Sequence, residues 1–94
     1  MNNTTQLKQL ARDCGSYFFS PDTMRFFNSR VSNNVWGGRY FITSERYDYN
    51  TPRRYTVREF TYSNGVLEFD TVGEFQEFPT MSQALKRISE LINN

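Results

Sequence analysis

The sequence predicts an α+β domain, an antiparallel sheet of three or four strands with helices packed on one face, in the order α-β-α-β-β-β-α. Three observations carry that expectation. Apolar residues recur at helical spacing near both ends of the chain, and the middle is rich in β-branched and aromatic residues. Between two alternating segments of that middle lies Asn64-Gly65, the preferred pair of a two-residue hairpin. Ninety-four residues suit one domain over 1–94, and nine Phe, six Tyr and one Trp supply the apolar mass a small core needs.

The first helix is expected from an Asn3 or Thr4 cap, with Leu7, Leu10, Ala11 and Cys14 on one side and Gly15 as its stop. Ser16 to Phe19 reads as a short extended stretch. Ser20-Pro21-Asp22 then gives an N-cap, a first-turn proline and an acid at the positive helix end. The second helix should run through Met24, Phe27 and Val31 to a break at Ser32-Asn33-Asn34. Trp36-Gly37-Gly38 marks a loop, and Arg39 to Arg46 is the first long strand. Pro52 holds Thr51 extended after a turn-like run from Tyr47. The hairpin pairs Arg53–Ser63 with Val66 to about Phe78. Its turn places Tyr62 opposite Leu67 and Phe60 opposite Phe69, so four apolar side chains share one face. Gly73 marks a bulge in the second arm. Thr80 and Gln83 form a capping box, and Met81, Ala84, Leu85, Ile88, Leu91 and Ile92 make the stripe of a last helix.

Composition closes off several chemistries. With no histidine and one cysteine, the chain has neither a Ser-His-Asp nor a Cys-His arrangement, nor the ligands of an ordinary zinc site. No phosphate-cradling glycine loop is present. The chain is therefore expected to be non-enzymatic, without a metal or cofactor. Cys14 is expected to be a buried, inert thiol, and a lone cysteine with no signal-like N-terminus points to a reducing, cytoplasmic location. No apolar run is long enough to span a bilayer, so no membrane partner is expected.

Nine of the eleven basic residues are Arg, though the net charge is only +1. Arginine suits planar, bidentate contacts to carboxylate and phosphate and stacks on aromatic faces. The candidate partner-binding residues are Arg25 and Arg30 on the second helix, Trp36 in its glycine-flanked loop, and Arg39, Arg46, Tyr47, Tyr49, Arg53 and Arg54 on the following strands and their loop. Two readings compete with a protein interface. One has Tyr and Phe filling the core while Arg pairs with Glu and Asp of neighbouring strands. The other has Arg and aromatic residues of the sheet holding nucleic acid. Carboxylates at Glu59, Glu68, Asp70 and Glu74 read as a solvated sheet face.

The phrase from Tyr17 to Val31 (YFFSPDTMRFFNSRV) resembles the opening motif of a family of short proteins of bacteriophages, plasmids and other mobile elements. Gly38 to Glu45 and Arg54 to Phe60 are similar to its second and third blocks, so the resemblance spans about Tyr17 to Phe78. The family carries no assigned activity and no functional residue to transfer. The resemblance implies a mobile-element accessory protein in a bacterial cytoplasm that binds a host protein and inhibits a defence system, in the manner of anti-CRISPR or anti-restriction factors. Nucleic-acid binding is the alternative, and monomer and homodimer are both open.

Overall fold

In the computed structural model, which describes residues 2–93, Asn64 and Gly65 take φ of 53° and 79°, the left-handed pair that a type I′ turn requires. Met1 and Asn94, the ends of the expected domain, lie outside the described residues. The elements are α1 (Thr4–Asp13), α2 (Pro21–Arg25), β1 (Arg30–Val31), β2 (Tyr40–Glu45), β3 (Arg54–Ser63), β4 (Val66–Thr71) and α3 (Met81–Ile92). The four strands form one antiparallel sheet in sequence order, so the architecture is α+β as expected. Tyr62 faces Leu67, Phe60 faces Phe69, and Glu59 faces Asp70, the register that the turn dictates.

Three segments differ from the sequence expectation. The Ser16–Phe19 stretch is a turn, and the fourth strand comes from Arg30–Val31 instead. Helix α2 starts as expected, with the Ser20 side chain accepting from Thr23 N, but it stops after five residues. Asn28 takes φ 49°, its N–H reaches Arg25 O at 3.2 Å, and Ser29 N reaches Met24 O at 2.7 Å. This pair of bonds across a left-handed residue caps the helix, and it frees Arg30 and Val31 to pair with Ser44 and Thr43. The second hairpin arm is shorter too. β4 ends at Thr71, and Gly73 lies in a turn whose residues lead to an isolated bridge between Phe78 and Tyr55.

The helices divide between the two faces of the sheet rather than sharing one. Every residue of β2 is buried, so both of its faces need cover. On one side Tyr40, Ile42 and Val57 pack with Ala84 and Ile88 of α3. On the other, Phe41 and Phe60 pack with Leu7 of α1 and with Val35, Phe18, Phe19 and Phe69. Helix α1 is capped by Asn3 and anchored where Thr4 N and Thr4 Oγ1 donate to Asn33 O and Ser32 O, at 3.1 and 2.7 Å. Cys14 is half-buried at its C-terminus, not fully enclosed, because the chain turns away there through Gly15 at φ 74°. α3 carries a Thr80 cap, and its last turn lies so close to Gly37 that a Cβ there would meet Ile92 Cγ1 at 3.0 Å. None of the described helices is long and apolar enough to cross a membrane.

Candidate functional site

On the α1 side, the sheet is only partly covered. At one end of that face Phe18, Phe19, Phe41 and Phe69 close the core, with Phe18 stacked on Phe69 at 4.2 Å between centroids. Towards the other end the pleat presents Thr43, Glu45, Thr56, Arg58 and Thr71, since β2 and β3 pair Thr43 with Thr56 and β3 and β4 pair Arg58 with Thr71. Glu45 is 1% exposed. Its Oε1 accepts from Thr56 Oγ1 at 2.8 Å, and its Oε2 lies 3.5 Å from Arg58 Nη2. Arg58 also donates through Nε to Thr43 Oγ1 at 3.0 Å and through Nη1 to Thr71 Oγ1 at 2.6 Å. Burial pulls the Arg58 guanidinium below its ordinary pKa, and the Glu45 charge and hydrogen bond oppose that pull. A charge pair this deep persists only because its remaining donors and acceptors are met by the threonine ladder.

Over that pair opens a cleft of about 570 Å³. Its polar floor is Thr43, Glu45 and Arg58, and its walls are aromatic, with Phe18 and Phe75 each under 6 Å from the Arg58 guanidinium (5.7 and 5.6 Å to the ring centroids). Met24, Phe26 and Phe27 extend the apolar wall, and Asp22, Thr23 and Ser29 add a polar stretch of rim. These walls follow from the early end of α2: past Arg25 the chain unwinds, leaving Phe26 78% exposed while Phe27 packs edge-on against Tyr47 and tilted against Phe75. A cleft of this size with apolar walls and a few fixed polar groups has the character of a binding site.

Met24 and Ser29 also line a second, shallower depression of about 490 Å³ on the neighbouring surface. Its other residues are Arg25, Asn28, Arg30, Arg46, Tyr49 and Arg53, so four guanidiniums border it and no carboxylate does. Arg53 Nη1 lies 2.9 Å from Asn28 O, 2.8 Å from Ser44 O and 3.1 Å from Ser44 Oγ, which fixes the side chain between the α2–β1 loop and the sheet. Burial first, and then the charges of Arg30 and Arg46, lower the Arg53 pKa. The repulsion of like charges is thus already built into the site. Arg46 lies over the Tyr49 ring at 4.7 Å, and its Nε is shut from solvent without an acceptor, the one such side-chain atom among the described residues. Two carboxylates lie near the arginines without lining the depression. Asp48 accepts from Thr51 Oγ1 and from the N–H groups of Asn50 and Thr51, bonds that hold its pKa below the usual range. Asp22 approaches Arg25 at 3.7 Å, but both are exposed and such a pair is weak.

The fold therefore brings together five of the nine sequence-derived candidates: Arg25, Arg30, Arg46, Tyr49 and Arg53. Tyr47 is exposed beside them, against Phe27. The other three lie elsewhere. Trp36 is half-buried against the α3 core. Arg39 pairs with Glu59 on that same side of the sheet, and the bond raises its pKa. Arg54 donates to Gln76 O and Glu77 O and so holds the loop after β4. Sequence reasoning did not single out Glu45 and Arg58 as a pair. Three threonines flanking one arginine on a shared face (Thr43, Thr56 and Thr71) are the signal, but it becomes readable only once the β2–β3 register is known.

The arrangement defines a small α+β domain with an arginine-lined depression beside an aromatic cleft. The chain belongs to a family of unknown function (DUF7447), whose family model matches residues 3–89. No curated protein and no solved structure matches the chain.

Proposed function

We propose that this protein is a non-enzymatic binding module that docks an acidic surface of another protein onto the arginine depression. The observation that carries the reading is the convergence of Arg25, Arg30, Arg46 and Arg53 on one hollow bordered by no carboxylate. Guanidiniums in this setting attract carboxylates over a distance and bind them by paired N–H donors on contact. Tyr and Arg are also the side chains that dominate interface energetics. The resemblance of the YFFSPDTMRFFNSRV phrase to proteins of phages and plasmids supplies the setting: an accessory protein in a bacterial cytoplasm, with a host defence protein as the target and occlusion as the mode of inhibition.

A second reading follows from the Arg46–Tyr49 pair, because an exposed ring beside guanidiniums also holds a nucleic-acid base and its phosphate. It uses the loop after β2 and not the open sheet that stacking domains present, since every residue of β2 is buried. One experiment separates the two. The tagged chain and its Arg30→Glu, Arg46→Glu variant are used to capture partners from bacterial lysate, with nuclease added before washing. The protein-docking reading expects a stoichiometric protein that survives nuclease and is lost in the variant. Bound material that disappears with nuclease favours the nucleic-acid reading, and a protein retained equally by the variant removes the arginine depression from both.

A further inference from the structure

We infer that the aromatic cleft is the anchor pocket for a single large apolar side chain carried by the same acidic segment that the arginine depression attracts. This rests on the reading above and specifies its ligand as a short acidic protein segment with one Phe, Trp or Leu. Continuity is the first argument. Met24 and Ser29 line both hollows, so a chain crossing them lies over the cleft and the arginines at once. Charge complementarity is the second. The cleft's buried Glu45–Arg58 pair is internally neutral and its rim carries one carboxylate, Asp22, 3.7 Å from Arg25, while the adjoining hollow is positive, so the acidic flanks of the segment belong over the hollow and the side chain inserted in the cleft is uncharged.

The walls give the third argument. The lining residues Phe26 and Phe75 are 78% and 38% exposed, and with Tyr47 just outside the cleft their rings meet around Phe27 in edge-on and tilted contacts at 4.7 to 5.4 Å. Isolated exposed apolar residues are ordinary, but a contiguous aromatic rim around a cleft with a fixed polar floor marks an interaction surface. The floor selects further. Arg58 is pinned by Thr43, Thr71 and Glu45 and sandwiched by Phe18 and Phe75, so an entering ring extends an existing aromatic and cation stack without displacing a bond.

The test is a set of synthetic dodecamer peptides on the full chain, combining a central Phe, Trp, Leu or Ala with Asp/Glu, Lys or Gly-Ser flanks. Binding is read by fluorescence anisotropy. The proposal expects the acidic, Phe-centred peptide to bind about tenfold to a hundredfold tighter than its Ala-centred counterpart, the value of burying one large apolar side chain. Phe26→Ser, at an exposed position, must abolish that advantage while leaving the preference for acidic flanks. Arg30→Glu must do the reverse. If acidic flanks matter but the central residue does not, the anchor pocket is overturned and the arginine reading stands. If the central residue matters but the flanks do not, or if no peptide binds, the composite site is overturned and the arginine reading falls with it.

Discussion

The two faces of the sheet solve the same burial problem differently. On the α3 face, Tyr40, Ile42, Val57, Ala84 and Ile88 meet in a buried apolar layer under a twelve-residue helix. The α1 face closes only at one end, and at the other it leaves a buried Glu45–Arg58 pair beneath an open aromatic cleft. The difference shows where a small domain places its cost. Stability is concentrated where cover is complete, and the exposed rings and charges gather where cover stops. Polar groups are admitted to the second face because a ladder of threonines satisfies them, whereas the first face has no need of such a ladder.

The largest effect that would break this contrast lies at the buried pair. Glu45→Ala leaves Arg58 unpaired in the interior and should cost about 3–5 kcal/mol in urea unfolding. Replacing both residues with Met should cost far less than the two single changes together, a coupling above about 1 kcal/mol. Ile88→Ala probes the α3 face, with an expected loss of about 2–5 kcal/mol from lost burial and the residual cavity. If Ile88→Ala proved harmless, α3 would not be the cover that closes this face. Gly37→Ala places a methyl against Ile92 at a left-handed backbone position and should cost about 1–2 kcal/mol, visible as a lower Tm.

Phe26→Ser sharpens the comparison from the opposite direction, with a stability change within about 0.5 kcal/mol despite the loss of a large aromatic group. The smallest effect is electrostatic. The Asp48 carboxylate has a lowered pKa in the folded chain, so its contribution is present above the unfolded value near about pH 4 and is lost as pH falls through the lowered one. Asp48→Asn keeps an acceptor for the turn, so the variant should unfold with a slightly flatter acid limb than the parent between those pH values.

How far the sequence foretold each region depends on the reach of its signals along the chain. Helix α3 and the β3–β4 hairpin were legible because their signals are local: a Thr80 cap and a stripe of period 3.6 for the helix, and an Asn-Gly turn that set Phe60 opposite Phe69 on the α1 face without outside information. The end of α2 was misread because Met24, Phe27 and Val31 keep helical spacing, while Asn28 prefers the left-handed state and Val31 finds a strand partner in Thr43. Placing all helices on one face failed for a related reason. Tyr40, Phe41 and Ile42 are consecutive apolar residues, a pattern of a strand covered on both sides, and α1 supplies the second cover. Five of the candidate arginines and tyrosines converge, but their meeting depends on the long-range contact of the loop after α2 with the loop after β2. A net charge of only +1 hides that local cluster entirely.

Arg53 gives this site a property in time as well as in space. Its Nη1 bridges Asn28 O and Ser44, tying the loop between Arg25 and Arg30 to the interior strand β2 with no help from a partner. A hollow held open in this way has little left to rearrange on contact. Association should then be a single kinetic phase, accelerated by the positive field at low ionic strength and slowed as salt screens it, with no lagging step in which the surface reshapes itself.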